Sequence, residues 1–271
     1  MPIRLIATDL DGTLLRRDLS VSPRTRRALD GVRARGLEVV PVTARQPEGL
    51  RLIAGQAGMT GWAVCSNGAL GLHLGTGEIL FENLLESGTQ RKLAVAITAR
   101  VPGTVFVSVR DAGTVFVAQR GYSELAQYTD HKRDPGSLGG FTLEEVVARP
   151  SLKLALRHPE LSPPELLAQV HSLGLSGFHA THSGAPFVEV AAQGVTKASG
   201  VARLCTHLGI AKSEVMAFGD APNDVEMLAW AGHGVAMGNA DPEARTAADE
   251  VALTNEEDGV AVVLEQLLVG G

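Results

Sequence analysis

Apolar and polar positions along the chain fall into two rhythms. At the N-terminal end an apolar run over residues 3–8 predicts a short buried strand, which climbs directly into Asp9 and Asp11 with only Leu10 between them. A helix is predicted from Ser22-Pro23, a cap followed by a good first-turn residue; it carries Ala28, Leu29 and Val32 and stops at Gly36. Residues 37–42 predict a second strand ending at Thr43, residues 47–57 a helix, and residues 62–65 a third strand ending at Ser66-Asn67-Gly68. Strand alternating with helix is the signature of a parallel sheet with covering helices. The same rhythm returns late in the chain: a helix over 197–208, a strand over 215–218 that runs into Gly219-Asp220, and a helix over 224–231. Short strands over 234–237 and 251–253 and a closing helix over 259–268 complete it.

Between about residues 82 and 191 the rhythm changes, and strands come in pairs. Residues 104–110 and 114–120 flank Asp111-Ala112-Gly113, a hairpin signal. Further strands are predicted over 152–157, 175–181 and 187–190, the last two around Ser183-Gly184, with helices over 90–100 and 164–173 and a loop over 134–140. The expected fold is therefore α/β: a Rossmann-like parallel-sheet core in two sequence halves, 1–82 and 192–271, with an α+β insert over 83–191. Trp62 and Trp230 read as core residues, and Cys65 as a packing residue next to Ser66-Asn67. His179, His182 and Ser183 lie around the last hairpin of the insert, where a surface or packing role is the expected one.

Composition narrows this picture. With 271 residues, 45% hydrophobic and 20% charged, the chain is an ordinary folded protein of one large domain or two smaller ones. Aromatics are only 4%, so Ala, Val and Leu must fill the core. A net charge of −6 argues against a nucleic-acid or anionic-membrane partner. The two cysteines, Cys65 and Cys205, have no metal-ligand spacing, which fits a reducing compartment. No apolar run reaches the roughly 20 residues of a membrane span, and the N-terminus lacks a signal-peptide pattern. A cytoplasmic protein is expected.

Candidate chemistry follows from the strand pattern, because open parallel sheets bind ligands outside the carboxyl ends of their strands. Asp9 and Asp11, Thr43 with Arg45, Ser66 with Asn67, and Asp220 with Asn223 and Asp224 stand at those ends, and Lys197 stands at a helix start. Clustered carboxylates repel one another unless a cation sits among them, and their hard oxygens suit Mg²⁺. A carboxylate flanked by lysine and small hydroxyls is suited to attack phosphorus and form an acyl phosphate that water later removes. Each residue alone has a plainer reading. Acid-x-acid pairs bind metal in sugar-nucleotide transferases, and turn acids, helix-capping threonines and solvated lysines are common. The placement of all of them at one sheet edge is what points to phosphoryl transfer.

DLDGT, Thr43, Lys197 and GDAPND, in this order, resemble the ordered signatures of haloacid dehalogenase-superfamily phosphatases. The insert between the second and third signatures, Ser66 to Ala69, AMGNA at residues 236–240 and Glu257-Asp258-Gly259 resemble the Cof-type sugar-phosphatase branch. The resemblance implies that Asp9 is the nucleophile and Asp11 the general acid/base. It implies that Mg²⁺ is held by Asp9, the Asp11 carbonyl and Asp220, supported by Asp224, and that Thr43 and Lys197 bind the phosphoryl group. Arg45, Asn67 and Asn223 would line the substrate side, and the insert would be a cap that reads the leaving group of a small phosphorylated metabolite. The sequence departs from the pattern at Ala44, at Ala198 (glycine being displaced to Gly200) and at Ala221-Pro222; no catalytic group is removed. A phosphomutase or a fold that only senses phosphorylated ligands would present the same residues. Oligomeric state is left open.

Overall fold

The first apolar run forms β1 (Leu5–Thr8), whose four side chains are all buried, as both faces of a central parallel strand must be. The computed structural model describes residues 2–131 and 133–270. After β1 come α1 (Pro23–Ala34), β2 (Glu38–Pro41), α2 (Pro47–Ala57), β3 (Trp62–Cys65), β4 (Leu70–His73) and β5 (Ile79–Glu82). The middle of the chain gives α3 (Ser87–Arg100), β6 (Val105–Arg110), β7 (Val115–Ala118), β8 (Lys153–Arg157), α4 (Pro163–Ser172), β9 (Phe178–Thr181) and β10 (Val188–Ala192). The last third gives α5 (Lys197–Leu208), β11 (Val215–Gly219), α6 (Val225–Trp230), β12 (His233–Ala236), α7 (Pro242–Ala247), β13 (Glu250–Val251) and α8 (Gly259–Gly270).

The chain divides into two units, one holding the residues up to Ala44, Leu50–Phe81 and those from Thr196 onward, the other holding Arg45–Gly49 and Glu82–Val195. In the first unit a parallel sheet runs in the order β13-β12-β11-β1-β2. Thr8 lies level with Phe218 on one side and Pro41 on the other, so the carboxyl ends of three strands finish together. Helix α1 is cut to length by the residues that the sequence offers. The Ser22 hydroxyl accepts the Thr25 N–H, Pro23 occupies the first turn, and Ala28, Leu29 and Val32 are buried. It packs against α8.

The third strand departs from expectation. Apart from one parallel bridge between Val42 and Val64, β3 pairs not as a parallel strand but antiparallel with β4. The cause is local: Ser66 and Asn67 take positive φ, 52° and 54°, and reverse the chain at once. A three-stranded sheet β3-β4-β5 results, in which β4 and β5 were not expected. Trp62 and Trp230 are half-buried rather than core. Trp62 sits edge-on between His73 and His207, with ring centroids 5.1 and 5.2 Å away. Helix α7, also unexpected, is a short turn opened by Pro242.

The second unit is built on an antiparallel sheet of order β7-β6-β8-β10-β9. Leu93, Ala94 and Ile97 of α3 and Leu166 and Val170 of α4 share one apolar cluster with Phe106, Leu154, Leu156, Val188 and Val190. The alternation along β8 and β10 places Lys153 and Glu189 off that cluster, where they form a buried ion pair; Ser183 donates to the other Glu189 oxygen at 2.6 Å. No helix among the described residues is long and apolar enough to cross a membrane.

Candidate active site

Asp9 is the first residue past β1, and its N–H still bonds to Phe218 O at 3.0 Å, so the sheet fixes its backbone. Its side chain is buried, and so is Lys197, the first residue of α5. The Lys197 ammonium donates to Asp9 Oδ1 at 2.6 Å and to Asp224 Oδ1 at 2.7 Å. Helix α5 can begin with a buried lysine because Thr196 caps it, the threonine hydroxyl accepting the Ser199 N–H. The second oxygen of Asp224 accepts the N–H groups of Asp220 and Ala221, both at 3.1 Å. Asp224 thus closes the turn Pro222–Asp224 and stands at the N-cap of α6, whose first residue is Val225.

Asp220 is held from the other side of the sheet edge. Thr13, itself buried, donates its hydroxyl to Asp220 Oδ1 at 2.6 Å. Gly12 has φ +84°, and a Cβ there would collide with the same carboxylate, so the turn needs glycine for both its conformation and its closeness. Asn223 donates to Asn67 Oδ1 at 2.9 Å, linking the exits of β11 and β3. The Asn223 carbonyl oxygen is buried and has no hydrogen-bond partner among the described residues. Thr43 is buried; its N–H bonds to Val64 O at 2.9 Å and its carbonyl accepts the Asn67 N–H at 3.0 Å. Asp11, half-buried, bridges to Leu15 across the turn. Arg45 belongs by its contacts to the second unit and donates to Gly49 O at 3.2 Å.

The displaced glycine after Lys197 has a structural cause. A Cβ on Gly200 would lie 2.6 Å from Val64 Cγ1 and 2.8 Å from Gly68 Cα, so α5 can approach the Ser66–Gly68 turn only with glycine at this position. Ala198 is buried without such a clash. Thr13 was not singled out as a site residue, although its hydroxyl was visible in the DLDGT run. Its partner lies 207 residues away, and no local pattern announces it.

The electrostatics follow from this crowding. Burial pushes the Asp9 carboxyl well above the ordinary carboxylate range; Asp224, Asp220 and Asp11 push in the same direction, and the Lys197 ammonium opposes them. Burial also pushes Asp220 up to about 7, against the Thr13 hydrogen bond and with help from Asp224. For Lys197 burial favours the neutral amine, but Asp224 and Asp9 outweigh it and hold the ammonium charged. Asp9, Asp220 and Asp224 each bring a carboxylate oxygen within 4.8 Å of the others. A donor set of hard oxygens, under-neutralised by a single lysine, fits a hard divalent cation such as Mg²⁺.

Thr13→Val keeps the shape and removes the hydroxyl, leaving Asp220 Oδ1 without that donor. The expected cost is about 1–3 kcal/mol in the urea-unfolding free energy. An unfolding midpoint equal to that of the parent would mean that the bond carries no weight.

A profile of haloacid dehalogenase-like hydrolases matches residues 6–264. The chain belongs to this family. Within it the motifs resemble those of the Cof-type branch. The phosphatase is 31% identical over 264 residues to the 5-amino-6-(5-phospho-D-ribitylamino)uracil phosphatase YcsE of Bacillus subtilis, covering 96% of this chain and 93% of that one. It is 28% identical over 274 residues to the HMP-PP phosphatase of Serratia proteamaculans, covering 98% and 95%. A solved structure of a sugar phosphatase of HAD subclass IIB shares the fold, with a TM-score of 0.82 at 22% identity over 97% of this chain and 98% of that one. In the phosphatase the sheet edge gathers Asp9, Lys197, Asp220 and Asp224 into one cluster.

Proposed function

We propose that the phosphatase hydrolyses small phosphorylated metabolites, sugar phosphates among them, in a Mg²⁺-dependent reaction that passes through an aspartyl phosphate on Asp9. The observation that carries this reading is the Asp9 carboxylate, buried and ion-paired to Lys197 at 2.6 Å, among acids that a single lysine does not neutralise. An Asp9 oxygen attacks phosphorus and the ester P–O bond breaks, its electron pair leaving with the substrate oxygen. Asp11 gives that oxygen a proton. Water, deprotonated by Asp11, then attacks the same phosphorus, and the bond to Asp9 breaks to release inorganic phosphate.

Lys197 and Thr43 hold the phosphoryl oxygens, while Asn67, Asn223 and Arg45 meet the substrate side. The buried, unpartnered carbonyl of Asn223 supports a polar neighbour there. Bound Mg²⁺, held by the Asp9 and Asp220 carboxylates and the Asp11 carbonyl, would neutralise charge on the phosphoryl oxygens. Asp224, with both oxygens already engaged, fits the part of fixing Lys197 and the Asp220 backbone. The second unit carries the choice of leaving group in this reading. The relative from Bacillus subtilis, named for a phosphate on a ribityl chain, supports a polyol or sugar phosphate as substrate class. The protein is taken to work in the cytoplasm, with which its two buried free thiols agree.

Phosphate release from a panel of sugar phosphates, nucleotides and cofactor phosphates, with Mg²⁺ and with excess chelator, tests the reading. Release that needs the cation and favours polyol or sugar phosphates is expected; release undiminished by chelator would overturn the metal assignment. Because burial lifts Asp220 to about 7, the free site is partly protonated near neutrality and the cation must displace that proton. Mg²⁺ affinity measured by calorimetry should therefore rise as pH increases from 6 to 8, and a flat profile would contradict it.

A further inference from the structure

The runs AMGNA and Glu257-Asp258-Gly259 lie outside the carboxylate cluster, yet both lead to the turn that carries Asp11. That turn is closed at its neck by the Asp11–Leu15 bridge and by the Leu15 N–H donating to Leu10 O at 2.9 Å. Its outward carbonyls are taken by side chains from elsewhere. Asn239, in the loop after β12, donates Nδ2–H to Gly12 O at 2.8 Å. Asn255, in the turn after β13, donates Nδ2–H to Leu15 O at 2.8 Å. The two asparagines are joined, the Asn255 N–H donating to Asn239 Oδ1 at 3.0 Å.

The supports of this pair are themselves fixed. Arg245 donates its guanidinium to the carbonyls of Gly238 and Ala240 on either side of Asn239. Glu257 accepts the Thr254 N–H at 3.2 Å and the Thr254 hydroxyl at 2.7 Å, closing the turn that presents Asn255. Asp258 takes the Arg16 guanidinium at 2.8 Å, and the Arg17 N–H donates to Glu256 at 2.7 Å. The bonds of Asn239, Asn255, Asp258 and Glu256 to Gly12, Leu15, Arg16 and Arg17 tie the stretch after β1 to the loops after β12 and β13.

We infer that Asn239 is a positioning residue for Asp11, seated by Asn255, and that the two late motifs exist to present this pair of amides to the turn. Asn239 is exposed, so its side chain is not held there by packing; both ends of its amide are committed to the turn and its partner. Gly12 follows Asp11 directly, so a bond to its carbonyl fixes the peptide plane one residue past the acid. The inference rests on the reading of Asp11 as the proton donor to the leaving oxygen. A displaced acid slows reactions that need a proton on the leaving group and spares those that do not.

The test compares Asn239→Ala, Asn239→Asp and Asp11→Asn on an alkyl phosphate, whose leaving oxygen must be protonated, and on p-nitrophenyl phosphate, whose leaving oxygen need not be. Asn239→Asp keeps the acceptor for Asn255 and loses the donor to Gly12. Both Asn239 variants should lose about tenfold or more in kcat/KM on the alkyl ester, a fraction of the ~10²–10⁴ that an acid group supplies, and under about threefold on the aryl ester. Asp11→Asn should show the same split more strongly. Equal losses on the two esters, or none, in the Asn239 variants overturn the inference while the Asp11 split stands. A missing split in Asp11→Asn overturns the acid assignment and the inference with it. Thermal melting of the Asn239 variants within a few degrees of the parent is expected from an exposed site, and the ester ratio is read within each variant, so altered stability does not decide it.

Discussion

Asp9→Asn is expected to leave a folded protein with turnover reduced on the order of 10⁴-fold or more, because the proposed mechanism loses its attacking oxygen. The fold should survive for a reason visible in the geometry. The substitution weakens one of the two ion pairs of Lys197, but it also removes a buried charge that Asp224, Asp220 and Asp11 repel. Lys197 keeps Asp224 at 2.7 Å. The melting temperature should move by only a few degrees, in contrast to the rate. Phosphate release and a circular-dichroism melt on the same preparation check both halves. Appreciable turnover from protein free of the parent enzyme would remove Asp9 as the nucleophile.

Lys197→Met should cost stability as well as rate. The methionine fills much of the same space, but Asp9 and Asp224 lose the ammonium that now lies 2.6 and 2.7 Å from them. Stripping one partner from a buried charge cluster costs about 3–5 kcal/mol, which in a chain of this size lowers the melting temperature by ~10 °C. The rate should fall by about 10²–10³-fold, since the proposed mechanism loses a donor to the transferring group.

The pH dependence has a definite sign. The Asp9 carboxyl is already raised in the folded state, and without Lys197, the one charge that lowers it, it rises further. A carboxyl raised above its unfolded value binds more protons folded than unfolded, so its unfavourable contribution grows as pH rises from about 4 through the folded value. The deficit of Lys197→Met against the parent should therefore be smaller at pH 5 than at pH 7.5. A deficit unchanged between those two values, or no deficit at all, would mean that the lysine is not the counterion of this site.

Much of the core was legible because its signals are local. Ser22-Pro23 capping α1, the apolar run of β1 and the glycine stop after α1 each depend on a few neighbouring residues, and each formed where it was expected. The acids past β1 and β11 were legible too, because a charged residue at the end of a buried strand conflicts with its surroundings unless it has a use. What was not legible depended on partners distant in sequence or on backbone conformation. Nothing in Trp62 to Cys65 says that the next residues will reverse in the left-handed region and pair antiparallel. Nothing near Thr13 names Asp220, and nothing near Asn239 names Gly12.

By itself the sequence determined the chemistry available: which strands end in acids, which helix begins with a lysine, and which family the ordered motifs resemble. Tertiary structure alone decided how those groups divide the work. Strands β1 and β11 lie side by side in register, which brings Asp9 and Asp224 onto one ammonium and the Asp220 carboxylate within 4.8 Å of theirs. Burial then removes the water that would otherwise screen their charges. Spread along an unfolded chain the same carboxylates would not meet; gathered and dried at a sheet edge, they require a counterion, and that requirement is a product of the fold.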